Sequence, residues 1–241
     1  MGRTDASGFR MRFAASEADV AQAVALRSTV FRAGRSDADR FDRLCRHLLI
    51  EDKRDGHLVA TLRMMRFASG TEIGTSYAAQ VYELGRLQAF PGSMLEIGRL
   101  CLAPGTDSPD VLRLILAALA GVVAEDGIEL IFGCSSFAGV DPAPYSAAFA
   151  LLRTLHLAPE NWAPERKAAD GIALAEVAGQ PDAVRGRAAL PPLLRLYLGL
   201  GGWVSDHLVV DRDLNTLHVF TGLEIPKVPA RRARVLRAML R

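Results

Sequence analysis

The chain has 241 residues, half of them hydrophobic, and a formal net charge of +2. That is enough apolar material for one substantial core, and the near-neutral balance gives no electrostatic case for a nucleic-acid partner. Cys45, Cys101 and Cys134 are odd in number, widely spaced and set among apolar neighbours, which excludes a disulfide framework and a zinc site of ordinary spacing.

From the N-terminus, Phe9, Met11 and Phe13 alternate with Arg10, Arg12 and Ala14, the period of a half-buried strand. Ser16-Glu17-Ala18-Asp19 reads as a capping box opening a helix with Val20, Val24, Arg27 and Phe31 at helical spacing. Residues 35–42 predict an exposed loop or short helix, and strands are expected over 47–51 and 58–65 around the turn Lys53-Arg54-Asp55-Gly56. A short helix is expected over 81–87 and an apolar strand over 94–102. Ser108-Pro109 then caps a helix whose buried face is expected to carry Leu112, Ile115, Leu116, Leu119, Val122 and Val123. Gly127 ends that helix, and a buried strand over 130–134 follows in a parallel crossover. A helix over 143–155 and a strand over 216–225 complete the pattern. No repeat or low-complexity linker divides the chain, which predicts one α/β domain over residues 1–241.

The N-terminal segment lacks an apolar signal core, and the apolar runs 111–124 and 189–204 are interrupted by Arg113 and by Pro191, Pro192 and Arg195. A cytoplasmic protein that neither is secreted nor spans a membrane is expected. The last fifteen residues, about 227–241, carry Lys227, Arg231, Arg232, Arg234, Arg237 and Arg241 with no acid, interleaved with Val235, Leu236, Met239 and Leu240. This basic amphipathic tail suits an acidic protein or an anionic membrane met peripherally, or is a solvated helix.

Chemistry concentrates in Leu95-Glu96-Ile97-Gly98-Arg99-Leu100, where two charges interrupt an apolar strand. Residues three apart on a strand face opposite ways, so Glu96 and Arg99 diverge unless a bulge intervenes, and Gly98 is where one is expected. Buried charges need partners, which makes the pair a site or a structural ion network. Arg63 in the strand 58–65 suits bidentate pairing with a carboxylate, from the protein or from an amino-acid ligand. For Arg27, Asp39 and Asp42, spacing alone points to a solvated surface.

The motifs Leu26-Arg27-Ser28-Thr29-Val30-Phe31, Asp39-Arg40-Phe41-Asp42, Thr61-Leu62-Arg63 and Glu96-Ile97-Gly98-Arg99-Leu100 occur in that order. This arrangement resembles the acyl-homoserine-lactone synthases. Through Cys45-Arg46-His47-Leu48-Leu49, Phe132-Gly133-Cys134-Ser135-Ser136-Phe137, the 191–198 segment and Asn215-Thr216-Leu217-His218-Val219-Phe220, it looks closer still to the bacterial ornithine N-acyltransferases that make lyso-ornithine lipid. The chain departs from the synthases in carrying Ala33-Gly34-Arg35 where they have a Trp after the first helix. The resemblance implies a GNAT-like fold, a mixed sheet flanked by helices, with acyl carrier protein as a thioester co-substrate, ornithine as acceptor and no bound cofactor or metal. It also implies a site drawing on Arg27, Phe31, Asp39, Asp42, Arg63, Glu96 and Arg99.

Within that reading Glu96 is the candidate base for the α-amine, and Arg27, Arg63 or Arg99 would hold the amino-acid carboxylate. Backbone amides at the bulge would steady the oxyanion, while Asp39 or Asp42 would meet the arginines or the acceptor's second ammonium. Ala103-Pro104-Gly105-Thr106-Asp107 stands where acetyl-CoA-dependent relatives have a glycine-rich pyrophosphate loop, which favours a carrier-protein donor. His47 and Asp52 have the spacing of the glycerolipid O-acyltransferases, but five positions apart on a strand they face opposite ways. The remaining alternatives are an autoinducer synthase acylating S-adenosylmethionine and a non-catalytic lipid-binding protein.

Overall fold

The computed structural model describes residues 4–6, 8–106, 108–180 and 182–238, and the side chains of all of these except 4–6 and 235–238. In chain order the first elements are β1 (Thr4–Ala6), β2 (Phe9–Phe13), α1 (Glu17–Arg32), β3 (Arg46–Asp52), β4 (Leu58–Phe67), β5 (Tyr82–Glu83), β6 (Met94–Leu102) and α2 (Pro109–Asp126). They are followed by β7 (Leu130–Ala138), α3 (Ser146–Leu155), β8 (Glu165–Arg166), β9 (Gly171–Ala173), α4 (Ala183–Ala189) and α5 (Pro192–Gly199). Strands β10 (Trp203–Asp211) and β11 (Thr216–Glu224) and helix α6 (Ala230–Ala238) close the chain. The α/β class and the strands at 9–13, 47–51, 58–65, 94–102 and 216–224 are as expected. Residues 81–87 differ from the helix expected there, forming the short β5 and a 3-10 turn over Gly85–Ala89. A glycine in the middle of that window removes the helical option in favour of a tight turn.

The chain divides into two compact units, each assembled from segments distant in sequence. The first takes residues 1–66, 97–128 and 230–241. In it β1, β2, β3 and β4 form an antiparallel ladder, and β6 follows β4 in the strand order. Helix α1 is capped by Ser16, whose hydroxyl accepts from the Asp19 amide at 3.2 Å, and Asp19 in turn accepts from the Ala15 amide and from Arg12. The Asp19 carboxylate thus caps the Ala15 amide, one residue before the Ser16 amide that a reciprocal capping box would use. Helix α2 begins at the expected Ser108-Pro109 and ends at Gly127, whose φ of 61° is the left-handed geometry that glycine adopts without strain. Its buried face runs through Val111, Leu114, Ile115, Ala118, Leu119 and Val122, rotated by about one position from the expected face because small Ala117, Ala118 and Gly121 admit close packing.

The second unit takes residues 67–96 and 129–229. Its strands run β7-β11-β10-β9, and the nine-residue register of β7 against β11 is unbroken from Leu130↔Glu224 to Ala138↔Thr216. Helix α3 is preceded by a 3-10 turn over Ala143–Tyr145, so the helix expected from 143 starts three residues later, after the proline at 144. A core of Phe137, Phe149, Leu151, Leu152, Leu194 and Leu217, among others, seals this unit. Phe67, Tyr82, Phe132, Trp203 and Phe220 pack ring against ring beside it.

The segment 67–96 is held by one close approach. A Cβ at Gly70 would collide with the carbonyl oxygen of Leu87 and lie 2.9 Å from those of Gln88 and Phe90, all of them backbone atoms. Gly70→Ala is therefore expected to destabilise the protein by about 2 kcal/mol or more through forced backbone displacement. Thermal unfolding should show a Tm lower by at least about 4 °C.

Candidate functional site

In the first unit four arginines and three aspartates enclose one another. Arg27 on α1 is fully buried. Its Nε donates to Asp37 Oδ2 at 2.9 Å, Nη1 to Asp42 Oδ1 at 2.7 Å, and Nη2 to Asp42 Oδ2 at 3.0 Å and to the Asp37 carbonyl at 2.8 Å. The fork geometry of a guanidinium is what lets one side chain serve two carboxylates and a carbonyl at once. Arg32 Nε reaches Asp37 Oδ1 at 3.0 Å, and Arg99 Nε reaches Asp37 Oδ2 at 3.2 Å. Arg63 Nη1, from β4, donates to Asp39 Oδ1 at 2.7 Å and Asp42 Oδ1 at 3.1 Å.

The aspartates are presented by a turn that caps itself. Asp39 is the N-cap of the 3-10 turn Arg40–Arg43, accepting from the Phe41 amide at 2.8 Å, while Asp42 Oδ2 accepts from the Asp39 amide at 3.0 Å. Phe41 and Asp42 point inward and are buried, and the Arg63 guanidinium carbon lies 5.6 Å from the Phe41 ring centroid. The solvated surface that spacing suggested for Arg27, Asp39 and Asp42 is corrected here: Arg27 and Asp42 are buried and Asp39 is half-buried, because each is neutralised by a partner brought from elsewhere in the chain.

Asp37 is the residue that the sequence reading missed. Its side chain is fully enclosed, accepts from Arg27, Arg32 and Arg99, and its amide donates to the Ser28 hydroxyl at 2.9 Å. The alternation Asp37-Ala38-Asp39 in a segment taken as exposed was the available signal.

The expected irregularity in β6 falls at Arg99, whose φ is 52°, and not at Gly98. A non-glycine residue in the left-handed region costs on the order of 1 kcal/mol or more. The guanidinium's bond to Asp37 holds it there. A Cβ at Gly98 would meet nothing within 4 Å, so open space borders the strand at that point. Phe31, near the end of α1, is half-buried.

In the second unit Glu96 is buried, and both of its oxygens accept backbone amides: Oε1 from Ala78 at 2.7 Å and Oε2 from Tyr77 at 2.9 Å. These amides open the 3-10 turn Ala78–Gln80, and N–H groups at the start of a turn have no acceptor within it and favour an anion.

His47 and Asp52 do not meet. His47 Nε2 donates to the Asp42 carbonyl at 2.9 Å, so its Nδ1 is the basic nitrogen, and burial lowers its proton affinity, with Arg27 and Arg63 adding to the effect. Asp52 is gripped by Arg54, at 2.6 Å to Nη2. Burial raises the Cys101 thiol to about 12, so it is inert. Among the described residues no group of histidines, cysteines and carboxylates has the arrangement of a metal site.

Burial alone would disfavour the Asp42 carboxylate, but the Arg27 hydrogen bond, the Asp39 amide and the charges of Arg27 and Arg63 outweigh it and hold the group at about 2, below its ordinary 3.8. A depressed carboxyl stabilises the fold above its unfolded value and loses that contribution as pH falls through the folded one. Denaturant unfolding should therefore lose on the order of 2 kcal/mol between pH 4 and pH 2 from this group, with a shallower decline in Asp42→Asn. Arg27→Met should cost about 3–5 kcal/mol at neutral pH, because it strands two buried carboxylates; a melting temperature within about 2 °C of the parent protein would contradict the enclosure described.

A model of the acetyltransferase (GNAT) domain matches residues 21–117. The chain is 35% identical over 193 residues to the L-ornithine N(alpha)-acyltransferase of Rhodobacter capsulatus, covering 77% of this chain and 73% of that protein. It is 31% identical to the enzyme of the same name from Rhizobium meliloti, over 96% of this chain and 84% of that one. Among solved structures, the CoA-dependent acyl-homoserine lactone synthase BjaI aligns over 93% of this chain and 83% of its own, with 12% identity and a TM-score of 0.49. The N-acyl amino acid synthase FeeM aligns over 90% and 91%, with 13% identity and a TM-score of 0.47. The identity and coverage of the sequence relatives decide the matter: the chain belongs to the L-ornithine N(alpha)-acyltransferase family.

Proposed function

We propose that this acyltransferase moves a 3-hydroxyacyl group from acyl carrier protein to the α-amine of L-ornithine, giving lyso-ornithine lipid. The observation that carries the reading is the match over most of the chain to relatives named for acylating that amine. The amine attacks the thioester carbonyl and forms the C–N bond. The ammonium first gives one proton to the base; after attack the tetrahedral intermediate collapses with cleavage of the C–S bond, and the second proton on nitrogen goes to the departing pantetheine thiolate.

Glu96 is the proposed base, acting directly or through water, with its carboxylate oriented by the Tyr77 and Ala78 amides. Arg27, all of whose nitrogens are engaged, organises the acidic turn, and Arg63 and Arg99 are the arginines proposed to meet the acceptor carboxylate. Asp39 is the aspartate suited to a second ammonium: its Oδ2 accepts no hydrogen bond, whereas both oxygens of Asp37 and of Asp42 do. Phe31 and the open side of Gly98 border the same proposed acceptor region.

The carrier-protein donor is supported by the loop after β6. There the Ala103 amide donates to the Val59 carbonyl at 2.8 Å and the Thr106 amide to the Ala103 carbonyl at 3.0 Å. At the start of α2, Pro109 has no N–H, the Asp110 and Val111 amides bond to Ser108, and the Asp110 carboxylate adds a negative charge. Few donors remain for a pyrophosphate, and a tethered pantetheine arm needs none. We further propose that the basic tail meets an anionic membrane surface. Arg231, Arg232 and Arg234 on α6 are exposed, while the side chains of 235–241 lie outside the described residues. No helix among the described residues is long and apolar enough to cross a membrane.

Incubation with 3-hydroxyacyl carrier protein and, separately, ornithine, lysine, glutamine or S-adenosylmethionine should yield acyl-ornithine by mass spectrometry; acyl-homoserine lactone instead would make the protein an autoinducer synthase. Glu96→Gln should lower kcat by about 10²-fold or more with little change in KM for ornithine, and full turnover in a folded variant removes Glu96 as the base. Truncation after Pro229 should reduce sedimentation with vesicles containing phosphatidylglycerol and leave kcat unchanged.

A further inference from the structure

The second unit carries a basic and apolar face that neither the acceptor chemistry nor the core accounts for. Helix α4 lies on α3 through Gly186, where an added Cβ would sit 2.8 Å from the Ala147 carbonyl and 3.1 Å from Leu151 Cβ. That close seating turns the neighbouring side chains outward. Val184 is 81% exposed and the Arg185 side chain 85% exposed, and Arg187 is exposed as well.

Two further observations join this helix to the end of α3. Gly186 rests against Leu151, and Leu155 lies one helical turn further along α3 on that same flank. His156 is flanked by Leu155, 60% exposed, and Leu157, 43% exposed. Half of the large hydrophobic side chains that the described residues expose to solvent therefore belong to this one region. Arg195 closes the face from the other side, its Nη2 donating to the carbonyls of Ala188 at 3.2 Å and Leu190 at 3.1 Å. Asp182 is occupied in capping α4 through the amides of Val184 and Arg185 and lies 3.7 Å from Arg185 Nε.

Scattered exposed aliphatics need no explanation, but a group of them bordered by exposed arginines marks an interaction surface. Its cations are all arginine, whose planar fork pairs with discrete carboxylates at fixed spacing, and the region has neither the lysines nor the exposed aromatics of a membrane-lying helix. We propose that α4 and the end of α3 dock an acidic, helical protein partner, and that this partner is the carrier bearing the acyl thioester. The assignment rests on the carrier-protein donor proposed above. Arginines 185 and 187 meet the partner's carboxylates, while Val184, Leu155 and Leu157 supply the apolar centre that gives such an encounter lifetime.

The test compares two donors on the full-length protein: 3-hydroxyacyl carrier protein, and the same acyl group on free pantetheine, which has no protein to dock. In Arg185→Glu/Arg187→Glu and in Val184→Asp, KM for the carrier-bound donor should rise at least tenfold, and turnover of acyl-pantetheine should stay within about twofold. Arg195 is left unaltered because it caps the end of α4. The wild-type KM for the carrier should also climb with salt, and the double variant should lose most of that dependence. Unchanged carrier KM in folded variants overturns the assignment, as does a defect confined to binding of anionic vesicles, which would make the face a membrane contact. A wild-type protein that uses acyl-pantetheine or acyl-CoA but no carrier-bound donor sinks the donor reading itself, a failure visible before any variant is made.

Discussion

The enclosure of Arg27 by Asp37 and Asp42 is the constraint on which the first unit depends. A guanidinium with no water contact is tolerable only when its donors find acceptors, and here four hydrogen bonds to two aspartates engage all three of its nitrogens. The consequence is positional. Two segments fifteen residues apart, α1 and the Asp39–Asp42 turn, are locked together, and Arg63 and Arg99 are recruited to the same carboxylates from β4 and β6.

Strain and anchorage are linked at the same place. The left-handed conformation of Arg99 is one that a strand interior ordinarily rejects, and the ion pair with Asp37 is what offsets it. Local distortion of β6 lets a side chain that regular alternation would send to one face join a cluster on another, while Glu96, three positions earlier, satisfies the amides of a different turn. One strand thereby serves two polar sites in a nine-residue run that is otherwise apolar.

The second unit is organised by packing instead of charge. Its long β7–β11 register and its ring-against-ring aromatics make a rigid support on which small residues set the helix distances, as Gly186 does for α4. A face that presents arginines and aliphatics outward follows from that close seating, since the helix's small residue is consumed by the contact and its larger ones have no room beneath.

Much was legible in the sequence where the physics is local. The alternation of Phe9 to Phe13, the Ser108-Pro109 start and Gly127 stop of α2, and the apolar run of β6 each depend on neighbours within a turn or two, and each forms as expected. Arg63 and Arg99 were also identifiable, because charges in apolar frames call for partners, whereas Arg27, Asp39 and Asp42 entered the site only through the family resemblance of their motifs. Tertiary structure alone decided which partners those were. Spacing made Arg27 and the acidic turn a solvated surface, and only the meeting of α1, β4 and β6 buried them. Asp37 was invisible for the same reason: its role is created by three arginines that lie five, ten and sixty-two residues away in the chain, and no local pattern encodes a contact of that range.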